Sequence, residues 1–179
     1  MVITVLGIDP GSRITGFGVI KISHRDAHYI TSGCIKTPKG PLADRLYEIY
    51  DNITSLMADY QPDEVAIENV FMHKNAQSAL KLGQARGVAM LAARLTCPNI
   101  FEYSPRQIKQ AVVGHGGALK AQIQEMVTHR LNLSAHPQVD AADGLAIALT
   151  HFQMRTSVTA RVKSNQKLNL ITKREHHDS

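Results

Sequence analysis

The sequence predicts an α/β fold, a mixed sheet of about five strands with helices on both faces. Three observations carry that class. The chain opens on a continuous apolar run, Val2 to Asp9, rich in β-branched residues, as a buried central strand requires. Two further strand patterns follow, and then helical and strand patterns alternate, the order that lays helices over a sheet. Leu42, Leu46, Ile49, Ile53 and Leu56 recur at spacings of 4, 3, 4 and 3, the apolar stripe of an amphipathic helix.

The other elements follow in order. Gly11-Ser12 makes the first turn. Thr15 to Ile22 and Tyr29 to Lys36 alternate as the second and third strands, joined through His24–His28. Pro38-Lys39-Gly40-Pro41 breaks the chain before the amphipathic helix. Pro62-Asp63 leads into a short buried strand, Glu64 to Glu68. Residues 76–95 read as an Ala- and Gly-rich helix, and Asn99 to Tyr103 as a strand. Ser104 followed by Pro105 supplies an N-cap and a favoured first helical residue. Gly114, Gly116 and Gly117 form a loop, and helices follow over 119–131 and 138–152. Residues 1–154 read as one folded domain. Residues 155–179 are polar and basic with no sustained apolar period, so a mobile tail is expected there.

Composition narrows the function classes. The chain has 179 residues, 44% hydrophobic and 20% charged, a balance that fits a folded domain rather than a disordered one. No apolar run approaches the ~20 residues of a membrane span. The N-terminus lacks the basic start and long apolar stretch of a secretion signal. Two isolated cysteines, Cys34 and Cys97, make neither a disulfide framework nor a zinc knuckle, so a reducing cytoplasm is the expected setting. The net charge of +5 is uneven. Residues 1–69 carry 6 basic and 9 acidic groups, residues 70–130 carry 8 and 2, residues 131–154 hold only Asp140 and Asp143, and the tail carries 6 and 2. A basic middle between acidic stretches suggests a polyanion-binding surface beside a carboxylate cluster.

Four acids stand where surface residues should not. Asp9 ends the first apolar strand in Gly7-Ile8-Asp9-Pro10-Gly11, and Glu68 ends the strand Val65-Ala66-Ile67-Glu68. Asp140 and Asp143 sit on an otherwise apolar helix, three residues apart and hence on one face. Read singly, each has an ordinary role: a strand-end acid capping a loop, or a helix-start acid favoured by the dipole. Read together, they place the same anomaly on three separate apolar elements. Carboxylates at such positions are costly to bury unless paired or bound to a metal. Four converging carboxylates call for divalent cations, and hard oxygen donors select Mg²⁺ or Mn²⁺. Two such ions ~3.5–4 Å apart can clamp both oxygens of a phosphodiester displacement.

Four blocks then carry a resemblance. They are Gly7-Ile8-Asp9-Pro10-Gly11-Ser12, Ile67-Glu68-Asn69-Val70-Phe71, the run from Asn75-Ala76 through Ser78 to Gly87, and Asp140-Ala141-Ala142-Asp143. In this order, over roughly residues 3–152, they resemble the RuvC-type Holliday-junction resolvases of bacteria. The resemblance implies a ribonuclease-H-like fold, a homodimer and two-metal endonuclease chemistry on four-way DNA junctions, with Mg²⁺ as the metal and Mn²⁺ able to replace it. It maps the catalytic and metal-holding acids onto Asp9, Glu68, Asp140 and Asp143. It implies that Lys120 supports catalysis by offsetting transition-state charge. A branch-migration helicase complex of the same pathway is an implied partner. Asn69 departs from the Gln more usual there but keeps the side-chain amide.

The remaining candidates face DNA. Phe71 follows the acidic strand by three residues, and an aromatic there can stack on an unpaired base, worth about 1–3 kcal/mol. A Phe folded back into the core is the ordinary alternative. Lys74, Lys81, Arg86, Lys109 and Lys120 dominate the basic segment, as phosphate contacts or as solvated helix faces. Gly83 and Gly87 lie four apart and permit close helix approach, either to the sheet or to a twin helix in a dimer. His73 and His115 receive no role.

Other classes fit some of the same residues. The Gly7–Ser12 block also resembles the first phosphate loop of actin-like and sugar kinases, but those folds duplicate this core and no second Asp-Gly loop is present. A non-catalytic junction- or RNA-binding module has no need of four acids at element ends. A ribonuclease-H-like nuclease acting on structured RNA is the remaining alternative.

Overall fold

The computed structural model describes residues 2–69 and 75–175, with side chains as far as Ser157. Five strands form one sheet: β1 (Val2–Asp9), β2 (Ile14–Ser23), β3 (Asp26–Lys36), β4 (Glu64–Glu68) and β5 (Ile100–Tyr103). Their order is β3-β2-β1-β4-β5. The first three pair antiparallel, and β4 and β5 continue parallel to β1. The mixed sheet expected from the sequence is therefore observed.

Helices α1 (Leu42–Tyr60) and α2 (Ala76–Arg94) cover one face, and α3 (Pro105–Val113), α4 (Lys120–Arg130) and α5 (Val139–Glu175) gather on the other. The period-2 alternation of a strand sorts residues between these layers. On β1, Ile3 and Val5 pack toward α5, while Leu6 and Ile8 pack toward α1 and α2. On β4, Val65 and Ile67 face α1 and α2, and Ala66 faces α5. The same alternation puts Asp9 and Glu68 on the α5 face, at the ends of neighbouring strands.

Helix α5 lies directly on the sheet because glycines leave room for it. A Cβ on Gly7 would stand 2.2 Å from the Gly144 carbonyl oxygen, and one on Gly16 would stand 1.9 Å from that of Asp140. Backbone-to-backbone packing of this kind fixes the first turns of α5 over the ends of β1 and β2. It therefore sets where Asp140 and Asp143 lie.

Several local signals act as read. Ser104 and Gln107 form a reciprocal capping box: Ser104 Oγ accepts from Gln107 N at 3.2 Å, and Gln107 Oε1 accepts from Ser104 N at 2.8 Å. Others differ. The β2–β3 link is a two-residue turn at His24-Arg25, because β3 already pairs Asp26 with Ser23. His24 takes a left-handed φ of 54° to close it. The stripe of α1 turns toward Arg45, Ile49, Ile53 and Met57. Arg45 is buried because its guanidinium donates to the Ser12 carbonyl, from Nε at 2.9 Å and also from Nη2. The last helix was expected to end at 152, and it continues to Glu175. No Gly or Pro occurs between Arg155 and Glu175 to stop it. Gly83 and Gly87 do not pack on the sheet: no atom lies within 4 Å of a Cβ built at either. Helix α2 seats instead through Ala85, Ala89, Ala92 and Ala93.

Candidate active site

Pairing of β1 with β4 sets Ile8 beside Ile67, so the next residues, Asp9 and Glu68, end the two strands side by side. Their side chains share a hydrogen bond. Helix α5 brings Asp143 over them, close enough for its charge to act on both. The three acids open on a cavity of about 160 Å³, which Lys109 and Lys120 also line. Apolar walls come from Ile108, Ile123 and Ile147.

Like charges in a half-dry place hold protons tightly. Burial, then Glu68, then Asp143 push the Asp9 carboxyl up to about 8, against the opposing charge of Lys120. Burial also raises Glu68 and Asp143. Lys120 Nζ sits 3.2 Å from Asp143 Oδ2, and this carboxylate raises the lysine in turn. The charge of Lys109 favours the ionised forms of Glu68 and Asp143.

The donor set fits a hard divalent cation, because oxygen ligands of one sign are gathered where only a cation can relieve them. As the side chains stand, no three such donors among the described residues form a ready coordination group. Asp9 and Glu68 instead bond each other, and Asp143 is held by Lys120. A cation bound there would compete with these contacts.

The other candidates divide. Asp140 lies one turn before Asp143, half-buried, and does not line the cavity. Its charge is felt at Asp143, Lys120 and Cys34. Lys81 stands half-buried on α2, outside the cavity. Phe71, Lys74 and His73 fall outside the described residues. Arg86 behaves differently from a phosphate contact. Its Nε donates to the backbone carbonyl of Glu68 at 3.0 Å, and its Nη2 pairs with Glu102. With a side chain only 18% exposed, it anchors the strand that ends in Glu68. Sequence reasoning placed Arg86 among the DNA contacts because its charge is legible and its partners, 16 and 18 residues away, are not. Arg45, which holds the turn after Asp9 through Ser12, was missed for the same reason.

Known proteins are similar to this chain in sequence and fold. A model of the family Crossover junction endodeoxyribonuclease RuvC matches residues 5–151. A protein of that name from Aeromonas salmonicida is 58% identical over 154 residues, covering 86% of this chain and 89% of its own. One from Legionella pneumophila is 55% identical over 161 residues, covering 89% and 92%. The solved Thermus thermophilus RuvC in complex with Holliday junction substrate superposes with a TM-score of 0.80 at 34% identity, covering 88% of this chain and 97% of that one. The yeast mitochondrial Holliday junction resolvase Ydc2, 11% identical with a TM-score of 0.68, shares the fold.

Proposed function

Since the chain belongs to the crossover junction endodeoxyribonuclease RuvC family, we propose that it resolves four-way DNA junctions by paired symmetric nicks during recombination and repair. One observation carries the reading: Asp9, Glu68 and Asp143, from three different elements, open on one small cavity with two lysines at its wall. A fold has no structural use for three acids driven together by the packing of β1, β4 and α5. A nuclease has one.

Asp9, Glu68 and Asp143, with Asp140 in support, would hold Mg²⁺, two ions per site, with Mn²⁺ as a substitute. Bound there, the ions supply the positive charge that activates water and steadies the leaving 3′ oxygen. The chain's own residues do the rest. Lys120, 70% exposed, reaches from the first turn of α4 to offset charge building on the scissile phosphate. Lys109 draws the phosphate toward the same cavity. The apolar walls lower the local dielectric, which strengthens each of these charges. Products are a 5′-phosphate and a 3′-hydroxyl. Phe71, Lys74 and Lys81 contact the junction. Arg86 serves DNA indirectly, by fixing Glu68.

Paired nicks need two sites related by symmetry, which a homodimer supplies. Support comes from α2 and its C-cap, which expose Leu80, Leu91 and Leu95, and Gly83 and Gly87 of the helix have open space beside them. A branch-migration helicase complex as partner and a bacterial cytoplasmic setting complete the proposal. No helix among the described residues is long and apolar enough to cross a membrane. A structured-RNA substrate is not favoured, since the relatives are DNA-junction endonucleases by name.

Incubation of a synthetic four-way junction, a linear duplex of the same sequence and a structured RNA, each with and without Mg²⁺, tests the reading. Symmetric nicks confined to the junction and to Mg²⁺ are expected. Equal cutting of the RNA would replace the substrate assignment.

A further inference from the structure

A second polar cluster joins the start of β4, the end opposite Glu68, to α5 about two turns beyond Asp143. His151 is 2% exposed. Its Nε2 stands 2.5 Å from Glu64 Oε2, and its Nδ1 stands 2.7 Å from the Tyr103 hydroxyl. Arg155 Nη1 pairs with the other oxygen of Glu64. Phe101 packs on the imidazole, with ring centroids 4.5 Å apart. Burial and Glu64 push the Tyr103 hydroxyl up to about 12, so it keeps its proton. Nε2 hydrogen-bonds to Glu64, and the Tyr103 hydroxyl closes the chain at Nδ1.

The spacing ties this cluster to the acids. Glu64, Ala66 and Glu68 share one face of β4, four residues spanning about 13 Å of strand. Asp143, Ile147 and His151 share one stripe of α5, eight residues spanning about 12 Å of helix. The two lengths match, and the elements run antiparallel. Glu68 therefore faces Asp143, Ala66 and Ile147 share one core cluster, and Glu64 faces His151. Acids crowd one end of this ladder, and at the other Glu64 ties α5 to the sheet through His151 and Arg155.

We propose that Glu64 and His151 are positioning residues for the metal-binding acids: their buried pair fixes α5 along β4 so that Asp143 meets Asp9 and Glu68 before any cation arrives. The inference rests on the metal-dependent reading of the acid site. It makes metal affinity, rather than junction affinity, depend on a pair about two helical turns away. Without the tie, part of the ion's binding free energy goes into drawing α5 down, so the apparent affinity falls.

Direct Mn²⁺ binding, followed by electron paramagnetic resonance on the full chain without DNA, tests this. Wild type, Glu64→Ala, Glu64→Gln, Tyr103→Phe and the opposite-face control Ile53→Val are compared, with melting temperature in EDTA recorded for each. Glu64→Ala should weaken Mn²⁺ binding at least threefold and raise the Mg²⁺ needed for half-maximal cleavage in proportion. Junction binding in EDTA should stay unchanged. Glu64→Gln, which keeps an acceptor for His151, should recover part of the loss. Ile53→Val should lower melting temperature without moving metal affinity. Should Glu64→Ala fail to fold, Glu64→Gln and Tyr103→Phe carry the test with the same readouts. Unchanged Mn²⁺ affinity in the folded Glu64 variants overturns the proposal. Absence of Mn²⁺ binding in wild type itself would instead overturn the metal-site reading on which it stands.

Discussion

Lys120 Nζ lies 3.2 Å from Asp143 Oδ2, so the lysine proposed to face the scissile phosphate also holds one of the acids proposed to bind the metal. An exposed lysine of this kind adds little to stability and much to the field inside the cavity. Lys120→Ala should lower turnover by about 10²-fold while changing stability by less than about 1 kcal/mol. Lys120→Arg should restore part of the rate. Single-turnover cleavage and thermal melting separate the two effects; a rate loss that merely follows unfolding would count against the assignment.

At Asp9 protons would compete with the proposed metal. Its carboxyl is raised from 3.8 in the unfolded chain to about 8 in the fold. The folded state therefore binds the extra proton between these values, and stability falls as pH rises through that window. Melting temperature in EDTA should decline from pH 4 to pH 8, and Asp9→Asn should flatten the Asp9 part of that decline. Saturating Mg²⁺ should remove most of it as well. A wild-type slope identical to that of Asp9→Asn contradicts the burial of this carboxyl among like charges.

Arg86 offers a clean choice between two roles. As an anchor of the Glu68 carbonyl, its replacement by Ala should cost about 1–3 kcal/mol, the usual loss when a charged hydrogen bond to a buried group goes. The salt dependence of junction binding should stay as in wild type. A phosphate contact would instead leave stability alone and lower the salt slope by about one.

Gly87 stands beside open space on α2, so Gly87→Leu should leave the melting temperature of the protomer within a few degrees of wild type. Dimer formation, followed by light scattering, should weaken, with cleavage falling in parallel. A stable Gly87→Leu dimer with full activity would move the interface off this helix.

Much of this was legible in the chain because single-residue patterns carry it. Val2–Asp9 reads as a buried strand from its own composition, and Ser104-Pro105 announces a helix start that the capping box confirms. Asp9 and Glu68 were visible as acids in the wrong place. What stayed illegible depends on residues far apart in sequence. Nothing near Arg86 points to Glu68, nothing near His151 points to Glu64 at 87 positions' separation, and only the sheet register makes these pairs meet. The reach of α5 to Glu175 was hidden for a different reason: a polar stretch lacking Gly and Pro has no apolar period to read, yet nothing to end a helix already started.

The central claim is that Asp9, Glu68 and Asp143 form one metal-dependent cutting site. Cleavage of a four-way junction by Glu68→Gln at saturating Mg²⁺, measured beside binding of the same junction in EDTA, tests it most directly. Binding should match wild type while cleavage falls by at least about 10³-fold, since an amide is a poor ligand for a hard cation. Wild-type turnover in Glu68→Gln, or undiminished wild-type cleavage in EDTA, would contradict the account.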